Sequence, residues 1–215
     1  MAESRVLQIH TLVVGPFSVN CYLVHPKDEP ETAIIDPGGD EALILDEIRK
    51  LRLEPVLILL THGHIDHLLA VQALKSRLQI PVQANKNERE FFSNLNLQSQ
   101  FLGIPNPPKI VVDRWVCEPD EIVLGSSHLK VINTPGHTPG SCSYVGPQEV
   151  FVGDTLFADS VGRTDLPGGD YPTLIRSIKT KLFVLPDDFV LFPGHGPKTT
   201  IGKEKQSNPF VRGYE

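Results

Sequence analysis

The chain has 215 residues, 40% of them hydrophobic and 21% charged, with a net charge of −6. That balance supports one layered core over residues 1–215 and argues against a disordered chain. The acidic excess argues against a protein held by nucleic-acid phosphates, and no apolar run reaches the roughly 20 residues that a membrane helix needs. At the N-terminus Glu3 precedes Arg5 and the apolar stretches are short, so no signal peptide is expected. Cys21, Cys117 and Cys142 are odd in number and widely spaced. They read as small buried hydrophobes in a reducing cytoplasm, with no disulfide framework.

Val6 to Val14, Cys21 to His25 and Thr32 to Ile35 read as strands separated by turn residues. Asp36-Pro37-Gly38-Gly39-Asp40 is a turn, with Asp40 expected to cap a helix carrying Leu45, Ile48 and Leu51 on one face. Pro55 to Leu60 is a continuous apolar run, as a strand covered on both faces would be. Helices are expected from about Asp66 to Leu78 and from Asn85 to Leu95. Asn96 to Pro108 is polar and proline-rich and reads as a loop long enough to act as a lid. Short strands follow at Glu121 to Leu124, Leu129 to Ile132, Ser141 to Val145 and Glu149 to Val152. A helix capped by Asp170 runs from Tyr171 to Phe183, and Phe189 to Phe192 is a last strand. Strands and helices without a strict alternation point to layered α/β with mixed sheets.

Three of the eight histidines fall in Thr61-His62-Gly63-His64-Ile65-Asp66-His67, directly after the run Pro55 to Leu60. A strand end opening into a loop presents polar side chains. His62 and His64 can project the same way from extended backbone, while Asp66 and His67, at the start of the next helix, can turn toward a point beside them. Imidazole and carboxylate together suit zinc, iron or manganese. His137, Asp154 and His195 recur downstream in the same setting, each after a strand and beside glycine. His10, His25 and His128 lack that setting and read as structural or exposed.

The HxHxDH cluster followed by a distant histidine, an aspartate and a final histidine resembles the metallo-β-lactamase superfamily from about Val6 to His195. The resemblance implies a four-layer αββα sandwich with two divalent metal ions at one edge of the sheets. One ion would be held by His62, His64 and His137, the other by Asp66, His67 and His195, with Asp154 bridging them. No cysteine falls in a ligand position, which disfavours the zinc β-lactamases.

Gly153-Asp154-Thr155-Leu156-Phe157 and Val161-Gly162-Arg163-Thr164-Asp165 are similar to the glyoxalase II branch, the hydroxyacylglutathione hydrolases. Pro193-Gly194-His195-Gly196-Pro197 and Ser207-Asn208-Pro209-Phe210-Val211 resemble its short bacterial members. Twenty residues follow His195, so the C-terminal helical domain of the long enzymes is expected to be missing. Asp165 and Pro197 stand where those enzymes have glutathione-binding tyrosines, and Arg163 where they have a lysine, which makes Arg163 the candidate substrate contact.

The implied reaction is hydrolysis of a thioester such as S-D-lactoylglutathione by a metal-bridging hydroxide, with Asp66 orienting it or taking its proton and Asp154 completing the centre. A mononuclear iron persulfide dioxygenase using His62, His137 and Asp154, or a hydrolase of another small ester or lactone, are the alternatives. The partner is a small molecule, possibly a glutathione conjugate, with no nucleic acid and no membrane. Lys198, Thr199, Arg212 and Tyr214 read as surface.

Overall fold

The computed structural model describes residues 6–212, so Glu3, Arg5 and Tyr214 lie outside it. The chain opens with an antiparallel meander of β1 (Leu7–Val14), β2 (Val19–Pro26) and β3 (Glu31–Ile35). After it the connections lengthen and the pairing turns parallel, as helical crossovers require. The helix α1 (Glu41–Leu51) leads to β4 (Glu54–Leu59), and α2 (Val71–Leu78) leads to β5 (Val82–Asn85). Then α3 (Arg89–Ser93) and α4 (Leu95–Leu102) lead to β6 (Arg114–Val116). These six strands form one sheet in sequence order.

The second sheet is built from β7 (Glu121–Leu124), β8 (Ser127–Asn133), β9 (Cys142–Val145) and β10 (Glu149–Gly153). A small hairpin of β11 (Leu156–Phe157) and β12 (Ser160–Val161) follows. The helix α5 (Tyr171–Ser177) then runs through a π-helical turn, Ile178–Leu182, to β13 (Val190–Pro193), β14 (Thr199–Thr200) and α6 (Ile201–Ser207). The sheet order is β14-β13-β10-β9-β8-β7, with only β10 and β13 parallel among its pairs.

Side-chain alternation along the strands sorts the core into layers. Tyr22, Val24, Ala33, Ile35, Leu57 and Leu59 face the second sheet, where they meet Leu129, Val131, Tyr144 and Phe151. Their neighbours Cys21, Leu23, Ile34 and Ile58 point the other way, onto Ile44, Ile48, Val71 and Leu74 of α1 and α2. On the far side Val150, Val152 and Leu191 pack against Leu174, Ile175 and Ile178. The result is the four-layer αββα sandwich that the sequence implied. The inter-sheet layer centres on Phe151, whose ring lies 5.4 Å from Tyr22 and 5.2 Å from Phe192.

Five local expectations are corrected. Thr199, read as surface, is buried, and its hydroxyl donates to Glu204 Oε1 at 2.6 Å. Asp40 does not cap α1: its backbone is left-handed (φ 49°), and its Oδ2 instead accepts the Gly15 N–H at 2.8 Å across the β1–β2 turn. Asp66 and His67 lie in a 3-10 turn, Ile65–His67, ahead of α2. Asn85 closes a strand, and its side chain accepts the Asn87 N–H at 3.0 Å to start a 3-10 turn before α3. Much of the stretch taken for a lid loop is α4, anchored by buried Leu95 and Ser99. Leu97 and Phe101 stay exposed there, so no clean apolar period marks the helix in the sequence. Asp170 does cap α5, accepting the Thr173 N–H at 2.8 Å.

Phe151→Ala removes the middle ring of the inter-sheet layer. We expect a loss of about 3–5 kcal/mol in urea unfolding; a loss under about 1 kcal/mol would mean that the sheets are held together elsewhere.

Candidate metal centre

The strands β4, β8, β10 and β13 all stop at one edge of the sandwich, and the chain leaves each of them through the residues singled out in the sequence. All seven meet there. His62, His64 and His137 bring ligand atoms within 4.8 Å of one another, and so do Asp66, His67 and His195. Asp154 stands between the two groups. Its Oδ1 is 3.5 Å from His67 Nε2, and its Oδ2 is 3.7 Å from His137 Nε2 and 3.6 Å from His195 Nε2. A side chain at Gly194 would place its Cβ 2.1 Å from Asp154 Oδ1, which is why glycine precedes the last histidine.

The rings are aimed by bonds on their far sides. Asp36, at the end of β3, was read only as part of a turn. Its Oδ2 accepts the Thr61 hydroxyl at 2.6 Å and lies 3.0 Å from His67 Nδ1, while its Oδ1 accepts the Thr61 N–H at 2.8 Å. The Thr61 hydroxyl is in turn 3.0 Å from His62 Nδ1. With its own proton given to Asp36, that oxygen accepts from His62. One buried carboxylate therefore fixes the tautomers of two histidines and leaves both Nε2 atoms facing the centre. His137 Nδ1 donates to the Arg163 carbonyl at 2.7 Å, which turns its Nε2 inward as well. Asp36, His62 and His67 also lie close enough to hold an ion, but the Asp36 oxygens already bond Thr61 and His67.

Among the described residues, five buried side-chain polar atoms have no hydrogen-bond partner, and three of them are His62 Nε2, His67 Nε2 and Asp154 Oδ1. Such atoms are costly to bury. Their convergence, with imidazole and carboxylate donors, fits a pair of divalent cations. Access is from one side: His195 and Asp66 keep 30% and 19% of their side-chain surface, whereas His67 keeps none. Phe157 borders His195 on that side, with ring centroids 6.4 Å apart.

Burial, reinforced by the neighbouring His67 and His137, pushes His62 well below the ordinary imidazole value. Burial and His137 hold His64 at about 3. For His195 burial works the same way, but Asp66 and Asp154 outweigh it and the value rises. Burial raises the Asp154 carboxyl, yet His67 and the other imidazoles outweigh it and hold it low.

Arg163 is tied to the centre by its backbone. Its guanidinium is forked on Asp165, at 2.7 Å for both Nε and an Nη, and it stands 59% exposed. No cysteine belongs to the cluster; Cys142 sits behind it, donating its N–H to the Thr61 carbonyl at 2.9 Å. The His10 and His25 rings stack on each other, 5.4 Å apart, elsewhere on the sheet.

A family model described as the metallo-beta-lactamase superfamily matches residues 14–195. The hydroxyacylglutathione hydrolase GloC of Haemophilus influenzae is 41% identical over 209 residues, covering 95% of this chain and 98% of that protein. The crystal structure of BLEG-1, a B3 metallo-beta-lactamase, superposes with a TM-score of 0.90 at 38% identity, over 96% of this chain and all of the other. TTHA1623, solved in a di-iron-bound form, gives 0.84 at 37% identity, over 94% and 99%.

The two groups should differ in their response to pH. His62, His64 and His137 have lowered values, so they stay neutral below pH 6.5 and take up a cation without releasing protons. Against burial, His67 and His195 have raised values, held up by Asp154 and Asp66, so a cation on their side would have to displace protons. Calorimetric zinc titrations at falling pH should therefore lose the Asp66, His67 and His195 event first, starting above the ordinary imidazole value. Parallel loss of both events, or loss of the other one first, would contradict the assignment.

Proposed function

The chain belongs to the metallo-beta-lactamase superfamily, and on that premise we propose that it hydrolyses a thioester of the S-D-lactoylglutathione type, using two divalent ions. The observation that carries this reading is Asp154, one carboxylate set between two clusters of inward-facing donors. His62, His64 and His137 are assigned to one ion, Asp66, His67 and His195 to the other, and Asp154 to both. The donors accept zinc, iron or manganese; zinc is the proposed occupant, and iron is the alternative that TTHA1623 carries. When bound, the ions supply a water whose pKa is brought toward about 7 and positive charge for the oxygen of the attacked carbonyl.

The chain's own groups do the rest. Asp66 lies at the accessible side with its Oδ2 3.3 Å from His195 Nε2, where it can orient the attacking water and take its proton. The buried wall of His62, His67 and His137 keeps bulk water from the far side. A thiol has a pKa near 8.5, so the leaving sulfur departs as thiolate and needs no strong acid. Arg163 is the proposed contact for a substrate carboxylate, which would replace Asp165 on its guanidinium. The substrate class follows the likeness to GloC along nearly the whole chain. Three free cysteines suit a reducing compartment, and the cytoplasm is the proposed location. Among the described residues no helix is long and apolar enough to cross a membrane.

Hydrolysis of S-D-lactoylglutathione by metal-loaded protein, followed as loss of thioester absorbance, tests the reading. Saturable turnover is expected, and Asp154→Ala should lower both turnover and metal content. Absence of turnover with two ions bound would exclude this substrate. Two further arms identify the alternatives. A chromogenic β-lactam is one, because BLEG-1, 38% identical to this chain, is a B3 metallo-beta-lactamase. Oxygen uptake with glutathione persulfide by iron-loaded protein is the other.

A further inference from the structure

Outside the seven-residue cluster, the turn between β5 and α3 buries a carboxylate completely. Glu88 has no exposed surface, and its hydrogen bonds reach two different loops. Its Oε2 accepts the Gly63 N–H at 2.7 Å, from the peptide between His62 and His64. Its Oε1 accepts the Thr138 hydroxyl at 2.7 Å and the Gly140 N–H at 2.6 Å, from the loop that carries His137. Both loops press on it: a Cβ at Gly63 or at Gly140 would sit 2.6 Å from one of its oxygens. Gln98 of α4 holds the next peptides of the same loop, donating to the Gly63 carbonyl at 3.0 Å and accepting the Ile65 N–H at 2.9 Å.

Burying a carboxylate is expensive unless every lone pair is used. An apolar side chain of similar size would fill the space at lower cost, but it would leave the two loops untied. We propose that Glu88, assisted by Gln98, is a positioning residue that sets the separation of His62 and His64 from His137, and so the cation affinity of that group alone. Asp36 bonds His67 directly and reaches His62 only through Thr61, so the Asp66, His67 and His195 group keeps a support that does not pass through Glu88. The inference rests on the ligand assignment made under the proposed function.

Glu88→Gln conserves volume but cannot conserve the tie. A carboxamide has one acceptor oxygen, so its NH2 faces either the Gly63 donor or the Thr138 and Gly140 donors, and one loop is released. The test measures zinc affinity by chelator competition, with zinc counted by native mass spectrometry on the full chain. It uses two backgrounds, His195→Ala and His64→Ala, each expected to disable one group. In the His195→Ala background Glu88→Gln should weaken zinc binding about 10–100-fold, the usual effect of losing a ligand's support. In the His64→Ala background it should change affinity by less than about twofold. Equal weakening in both would mark Glu88 as merely structural and overturn the inference; so would no weakening in either. If Glu88→Gln does not fold, Gln98→Ala is judged by the same criterion. Failure of His195→Ala and His64→Ala each to remove one zinc from the otherwise natural chain would instead overturn the ligand assignment, and with it any role for Glu88 toward it.

Discussion

A buried ring nitrogen or carboxylate oxygen left without a hydrogen bond costs about 1–3 kcal/mol, and this fold gathers three such atoms, from His62, His67 and Asp154, at one point, relieved in part by the 3.5 Å approach of His67 to Asp154. The structure around them is arranged to keep them there. Asp36 ties down the far side of His67 directly and that of His62 through Thr61, and the Arg163 carbonyl does the same for His137. The loops that carry them are held by Glu88 and Gln98. A protein without use for the site could relieve the cost with a single rotamer change or an apolar substitution. Cations that accept all of the lone pairs at once turn the same arrangement from a cost into a binding energy.

The two sheets bring this about by where their strands stop. β4, β8, β10 and β13 are far apart in sequence, yet all run toward the same edge, so their following residues converge. Tight packing behind that edge, from Phe151 and Phe192 to Tyr22, leaves the strand ends little freedom. Tyr22 itself donates its hydroxyl to the Pro193 carbonyl at 2.5 Å, tying the first sheet to the strand that delivers His195. Rigidity in the core is thereby passed to the donor positions.

Much of this was legible in the sequence because its signals are local. Each of His137, Asp154 and His195 follows a short apolar run and a glycine, and the HxHxDH spacing packs four donors into one turn of chain. The apolar run Pro55 to Leu60 was legible as a strand covered on both faces, which holds for Leu57 to Leu60 while Val56 is exposed; the four-layer order followed from the family resemblance. The supporting residues were not. Glu88 looks like any charged residue in a polar stretch, and its burial depends on loops 25 and 50 residues away. Asp36 sits in an Asp-Pro-Gly-Gly turn that explains itself without a second role. The helix α4 hides behind exposed Leu97 and Phe101, so a buttress of the site reads as loop in the sequence.

If the seven residues form one centre for two ions, with Asp154 between them, the ions themselves should show it. Crystals of zinc-loaded protein, measured by anomalous scattering above and below the zinc edge, test it most directly. Two anomalous peaks are expected, one among His62, His64 and His137 and one among Asp66, His67 and His195, with Asp154 touching both. A single peak elsewhere, such as among Asp36, His62 and His67, or two peaks that leave Asp154 unbound, would contradict it.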